Sequence, residues 1–304
     1  MTATLTEAVT TQPRRRSTRR FAEGERPSRL SVGIVWIVMG LATLYFLVPV
    51  VWLVIAATKS QSDLFTTPGF GFATFHLWEN VRSLSTYDGG IFWRWMLNSL
   101  LYSGVGSVLT MLLSAVTGYA LAVFRFRGKA LLQGAILASL LVPTTVLAQP
   151  TYVLLVHLGL SNNYLGVLLP SLVYPFGVML SYITARSSVP TEIIEAARLD
   201  GASEARVFFS IAFRLMGTGL TTVLLFAFMG SWNNFLLPLL VLNDRSLFPV
   251  TLGLNGWANQ TTSVAGLQIL TITGALVSVI PIVAIFIALQ RFWKSGVSAG
   301  GVRF

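Results

Sequence analysis

The chain has 304 residues, of which 54% are hydrophobic and only 11% charged, with a mean hydropathy of +0.72. A soluble domain carries about 25% charged residues, so this composition excludes an ordinary soluble protein and indicates one embedded in a membrane. With no cysteine there is neither a disulfide framework nor a thiolate metal site, and the net charge of +10 has to be located before it is read as a nucleic-acid signal.

Residues 1–29 hold seven basic side chains, among them Arg14-Arg15-Arg16 and Arg19-Arg20, mixed with Pro, Ser and Thr. This is the composition of a solvated, disordered tail that sets topology and touches anionic lipid. A cleaved signal peptide is not expected, because the apolar run that follows is far longer than a signal core.

A bilayer core of about 30 Å needs roughly 20 apolar residues per helix, and uncharged runs of that length predict six spans. The first two are placed at 34–57 and 96–124, with a polar and aromatic external loop of short amphipathic pieces over 60–95. Between Lys129 and Arg186 lie 56 residues without Asp, Glu, Lys or Arg, too many for one span. The turn-like Gly159-Leu160-Ser161-Asn162-Asn163 divides them into 130–156 and 164–185. The last two spans fall at 217–242 and 267–290.

With the N-terminus inside, 17 of the 21 Lys and Arg residues fall on the inner side, leaving Lys59, Arg82, Arg94 and Arg245 outside. The positive-inside rule accounts for such a distribution without nucleic acid. It puts both termini in the cytoplasm, and with them the segment between spans four and five.

That segment, 186–214, is the one strongly charged interruption, with four basic and four acidic residues. It reads as two short helices around an Asp200-Gly201 turn, with Thr191 capping the first, Ser203 capping the second, and Glu192 favourably placed in the first turn. Gly201 can take the positive φ that reverses the chain. Small Ala196 and Ala197 allow close approach to a facing surface, Glu195 and Asp200 can pair with basic groups, and Phe208, Phe209 and Phe213 can hold the second helix on the bundle.

Some chemistry is missing. None of the three lysines (Lys59, Lys129, Lys294) closes a phosphate-binding G-x-x-x-x-G-K-[ST] loop. No Asp or Glu lies inside a predicted span, where ion-coupled carriers often keep one. His76 and His157 read as loop or helix-end residues. The uncharged polar residues of the spans are therefore the next candidates: Asn98 with Ser99, Tyr102 and Ser103 in the second, Gln149 and Tyr152 around Pro150 in the third, and Trp232-Asn233-Asn234 before Pro238 in the fifth. Amides bond sugar hydroxyls and aromatic faces cover pyranose C–H groups, which suits a sugar pathway. The same residues can equally hydrogen-bond helix to helix. At Asn233-Asn234, the nearby proline also favours a locally opened helix lining a cavity. The pairs Ser103/Ser107 and Ser114/Gly118 read as packing contacts.

Glu195-Ala196-Ala197, three residues, Gly201, nine residues, Ile211 resembles the EAA motif of permease subunits of ATP-binding-cassette (ABC) importers, matched over 17 positions. Arg214 stands where that family usually has proline. Trp95-Met96-Leu97-Asn98-Ser99, Pro143 and Pro150, and the Trp232–Pro238 run are similar to carbohydrate permeases of the maltose-transporter type. The ending from Leu289 to Val302 resembles the tail of the smaller permease of that pair. The resemblance implies an all-α, six-helix permease bundle (30–290) with a cytoplasmic coupling helix, and a cytoplasmic tail (291–304) that reaches the ATPase. It implies as partners a second permease, an ATPase dimer that holds ATP and magnesium, and an extracytoplasmic binding protein that delivers a sugar; this chain would bind no cofactor and catalyse nothing. Two alternatives stay open: an ABC permease for a polyol, glycerol phosphate or amino acid, and a stand-alone carrier.

Overall fold

A computed structural model describes residues 29–300, so the tail at 1–28 and the last residues, 301–304, lie outside the described residues. Helix α1 (Arg29–Ala57) is a continuous apolar helix with Pro49 inside it. Its part up to Val50 belongs to one unit of the chain, and everything from Val51 onward belongs to a second.

After α1 the chain makes one helical turn at Asp63–Thr66 and then forms α2 (Leu77–Thr86) and the long α3 (Ile91–Val123). His76 occupies the position just before α2. The next elements are α4 (Lys129–Ser139), α5 (Thr144–His157), α6 (Tyr164–Ser171), α7 (Pro175–Ser188), α8 (Thr191–Leu199), α9 (Glu204–Leu215), α10 (Gly217–Trp232), α11 (Leu236–Val241), α12 (Val250–Ala258) and α13 (Leu267–Gly300). No strand occurs among the described residues. Among the described residues, three helical stretches are long and apolar enough to cross a membrane unaided: Val32–Ala57, Leu77–Val123 and Leu267–Gln290. Three bent pairs raise the count to as many as six.

The bends correct the expected straight spans. The third predicted span breaks between α4 and α5 with a 104° turn, and the fourth breaks between α6 and α7 at 40°. Each second half begins at a proline. Pro143 precedes α5 in an extended conformation, and Pro175 opens α7 behind Tyr174 at φ −132°. Proline donates no hydrogen bond to the preceding turn and disfavours a helical residue before it, so each break falls where the sequence carries one. The fifth predicted span is opened at residues 233–235, between α10 and α11, as the Asn233-Asn234-Pro238 pattern anticipates. At the other end, α13 continues unbroken through the expected start of the C-terminal tail at Arg291 to Gly300.

Helix α3 is the centre of the second unit, packed along both α7 and α10. In a bilayer, helices gain little from burying apolar surface against each other, so close approach through small residues carries the packing. One stripe of α3 supplies it: Ser103, Ser107, Thr110, Ser114 and Gly118, the four polar residues all buried. At Gly118 a Cβ would lie 2.5 Å from Ser181 Cβ and 2.6 Å from the Tyr182 amide nitrogen, so only glycine lets α7 approach this closely. Thr110 donates a hydrogen bond to the Ser171 carbonyl at 3.1 Å, tying α3 to the break after α6.

Candidate functional site

Helix α8 starts one residue earlier than the capping pattern predicts. Pro190, at φ −63° and ψ 136°, takes the position before the first turn and Thr191 is already helical, so Thr191 does not cap. Proline's ring fixes the φ needed to enter a helix, and no hydroxyl is required.

The helix ends in a two-bond reversal. The Ala202 N–H donates to the Ala197 carbonyl and the Gly201 N–H to the Arg198 carbonyl, both at 3.0 Å, with Gly201 at φ +79°. This is the Schellman pattern, in which a left-handed residue satisfies the last carbonyls of a helix. Ser203 Oγ accepts from the Arg206 N–H at 3.4 Å and caps α9, as expected. Across the turn, the Arg198 guanidinium donates to both Glu204 carboxylate oxygens, at 2.7 and 3.2 Å, and that hydrogen-bonded carboxylate raises the arginine pKa further.

The two short helices are fixed to the bundle by an apolar cluster. Ile194 and Ala197 of α8, with Val207, Phe208 and Ala212 of α9, pack against Ala115 and Tyr119 of α3, Ala185 and Val189, and Met216 and Leu220. Residues 194 and 197 lie one turn apart, so α8 has an inward face and an outward face. This divides the expected alanine pair: Ala197 is turned into the bundle, and only Ala196 is exposed. The phenylalanines divide as well. Phe208 packs on Tyr119 with ring centres 5.1 Å apart and planes tilted by 51°, and Phe213 packs at the cluster's edge, but Phe209 is exposed.

The outward face carries Glu192, Ile193, Glu195, Ala196, Leu199 and Asp200, all exposed. Leu199, at 89% exposure, is the most prominent apolar side chain on it. Neither Leu199 nor the Arg198–Glu204 pair was singled out from sequence. Beyond α9 the chain bends by 82° into α10 at the buried Met216. Arg214 is exposed, and the turn is made without the proline usual at that position.

The six polar and aromatic candidates inside the spans have different surroundings. Among the described residues, no hydrogen bond joins any two of Asn98, Gln149, Tyr152, Trp232, Asn233 and Asn234. Asn98 is buried and its amide is fully used: Nδ2 donates to the Ser246 and Phe248 carbonyls at 2.8 and 3.0 Å, and Oδ1 accepts from Tyr164 at 3.0 Å. It belongs to a row on α3 that holds the segment after α11. Trp95 Nε1 donates to the Arg245 carbonyl at 2.7 Å and Tyr102 to the Leu247 carbonyl at 2.9 Å, and Ser99 Oγ accepts from the Val250 N–H at 2.7 Å. Within the held segment, the Ser246 N–H lowers the pKa of Asp244.

Trp232 is buried and stacked on Phe228 with ring centres 5.6 Å apart. Tyr152 packs at the edge of a cluster around Tyr102 and Leu155, and Gln149 is exposed. At the opened helix, Asn233 is exposed and donates to the Met229 carbonyl at 2.9 Å, while the Asn234 carbonyl accepts from Thr251. A cavity of about 230 Å³ between α3, α10 and α13 is lined by Gly104, Ser107, Val108, Leu224, Phe228 and Ile285, among others, and by none of the six.

Comparison with known proteins bears on both the bundle and the loop. Residues 111–298 match the family described as binding-protein-dependent transport system inner membrane component. The arabinooligosaccharides transport system permease protein of Halalkalibacterium halodurans is 36% identical over 71% of this chain and 76% of its own length. The sn-glycerol-3-phosphate transport system permease protein of Salmonella typhi is 30% identical over 86% of this chain and 92% of its own. A solved bacterial ABC transporter involved in import of the acidic polysaccharide alginate has a chain that superposes with a TM-score of 0.75 at 20% identity, covering 88% of this chain and 99% of that one. The chain belongs to the family of binding-protein-dependent transport system inner membrane components.

Proposed function

We propose that this chain is one of two permeases of an ABC importer for an oligosaccharide or disaccharide, and that α8 is the contact through which a separate ATPase drives it. The observation that carries the reading is the two-faced α8, bolted by Ile194 and Ala197 to the ends of α3, α7 and α10, with its other face exposed. Force applied to the outward face passes directly to three bundle helices. That face has an apolar centre of Ile193, Ala196 and Leu199, with Glu192, Glu195 and Asp200 around it, and fits an apolar recess with a basic rim. Complementary rim charges favour specificity and encounter rate more than affinity.

ATP and magnesium belong to the ATPase in this reading, and closure of the ATPase dimer draws the coupling helices of the two permeases together. The bundles then turn from inward-facing to outward-facing, and an extracytoplasmic binding protein releases its sugar into the pathway. The charge distribution supports cytoplasmic termini and a cytoplasmic α8.

The relatives' names cover both saccharide and phosphate-ester cargo. A phosphorylated solute calls for Lys or Arg along the pathway, and the predicted spans contain neither, which favours an uncharged sugar. Asn233, Asn234 and Gln149 are the amides left to meet it. The test is uptake into liposomes holding the two permeases, the ATPase and the binding protein. Oligosaccharide uptake that needs both ATP and the binding protein is expected; uptake by this chain alone, or preference for a phosphorylated solute, refutes the reading.

A further inference from the structure

Residues 64–75, Leu-Phe-Thr-Thr-Pro-Gly-Phe-Gly-Phe-Ala-Thr-Phe, form a twelve-residue stretch with no charged side chain. All four of its phenylalanines are exposed, Phe65 at 70%, Phe70 at 56%, Phe72 at 77% and Phe75 at 57%, and Trp78 just beyond is 74% exposed. So much bare aromatic surface in one short segment calls for a partner.

The segment is not a loose loop. Lys59 is almost wholly buried, and its Nζ donates to Thr67 Oγ1 at 2.9 Å and to the Pro68 carbonyl at 2.7 Å. Asn80 Nδ2 donates to the Ala57 and Lys59 carbonyls, both at 2.9 Å, and the His76 N–H donates to the Thr58 carbonyl at 2.7 Å. These bonds fold the segment back along α1 instead of letting it rise away. A Cβ on Gly69 would lie 3.3 Å from Trp52 Nε1, and Trp52 is five residues before the end of α1. At 1.5 Å per residue the Trp52 Cα lies roughly 7 Å short of the helix end, and its indole brings Gly69 alongside this last stretch of α1. The neighbouring Val51, Trp52 and Val54 are exposed apolar residues of the span itself.

We propose that residues 65–78 are an interfacial lipid anchor, with Phe65, Phe70 and Phe72 inserted into the leaflet at the Ala57 end of α1. Three observations select lipid over a soluble partner: the seat of the segment beside Trp52, continuity with the apolar surface of the span, and withdrawal of the Lys59 cation into the fold. Aromatic side chains favour the boundary between headgroup and acyl chain. The inference rests on the chain's membership of a membrane-embedded family, and on neither its cargo nor the docking role of α8.

Because the chain has no cysteine, single cysteines report position directly. Spin labels on Phe70→Cys, Phe72→Cys and Thr74→Cys are read in the full transporter in bilayers, by collision with lipid-soluble oxygen and with a water-soluble nickel chelate. Val54→Cys serves as the lipid reference and Gln260→Cys as the aqueous one; Thr74→Cys leaves every aromatic residue in place. The oxygen-to-nickel ratio at 70, 72 and 74 is expected to follow Val54→Cys, several-fold above Gln260→Cys. A ratio equal to Gln260→Cys, or shielding from both probes by a protein partner, overturns the anchor.

Discussion

Gly201 separates what the turn needs from what a docked partner needs. Its φ of +79° is a left-handed conformation, and a Cβ added there meets nothing of the described residues within 4 Å. Alanine and leucine therefore incur the same backbone penalty of roughly 1–2 kcal/mol, and within this chain the larger side chain adds nothing to it. Gly201→Ala and Gly201→Leu are expected to destabilise the purified chain to a similar, small extent, with Gly201→Asn smaller still because asparagine tolerates this region. An ATPase seated on the outward face of α8 breaks the equivalence. Leucine would project into the interface while alanine adds only a methyl group. The assay pairs thermal unfolding of the purified chain with co-purification of the ATPase and its stimulation by binding protein. The prediction is near-equal unfolding temperatures and a loss of ATPase association confined to leucine. Equal, near-normal coupling in both variants would refute docking at this turn, and a much lower unfolding temperature for leucine would refute the open space around it.

Asn98→Ala removes the amide donor of the Phe248 carbonyl and the acceptor of the Tyr164 hydroxyl, and leaves the Ser246 carbonyl to Arg94 alone; each half-buried group left short costs at most about 1–3 kcal/mol. A clear fall in unfolding temperature is expected, measured by differential scanning fluorimetry in detergent. Asn233→Ala, which removes one exposed bond within its own helix, should leave that temperature nearly unchanged and alter uptake kinetics instead; unchanged kinetics would make Asn233 a packing residue. The buried Tyr119 hydroxyl has no hydrogen-bond partner among the described residues, so Tyr119→Phe should be neutral or stabilising, while Tyr119→Ala opens a cavity beneath the coupling helices and should cost about 3–5 kcal/mol. Gly118→Leu should prevent α7 from seating on α3, detected as loss of a monodisperse peak in size-exclusion chromatography.

The charged interruption at 186–214 was legible because charge is so rare elsewhere that its position alone sets it apart, and the Asp200-Gly201 turn and Ser203 cap follow local rules. The inward direction of Ala197 was not. Ile193 with Ala196 and Ile194 with Ala197 are two apolar rows of equal merit, and only packing on Ala115, Ala185 and Leu220 chooses between them. The apolar runs located the spans but hid their bends, since hydropathy does not register direction; Pro143 and Pro175 were visible, but the 104° turn was not. Asn98 is the clearest case of a role that sequence could not assign. Its partners, Ser246 and Phe248, lie 148 and 150 residues away, and nothing near Asn98 distinguishes an amide bracing a loop from one facing a sugar. The Arg198–Glu204 pair was obscured in the same way, because six residues apart on a straight helix do not meet, and only the Gly201 reversal brings them together.

Cysteine cross-linking along α8 in the assembled transporter tests the coupling contact most directly. Ala196→Cys and Leu199→Cys on the outward face are predicted to cross-link to the co-purified ATPase subunit, while Ala197→Cys, turned into the bundle, is predicted not to. Cross-linking at Ala197→Cys, or none at Ala196→Cys and Leu199→Cys in a transporter that still hydrolyses ATP, would contradict it.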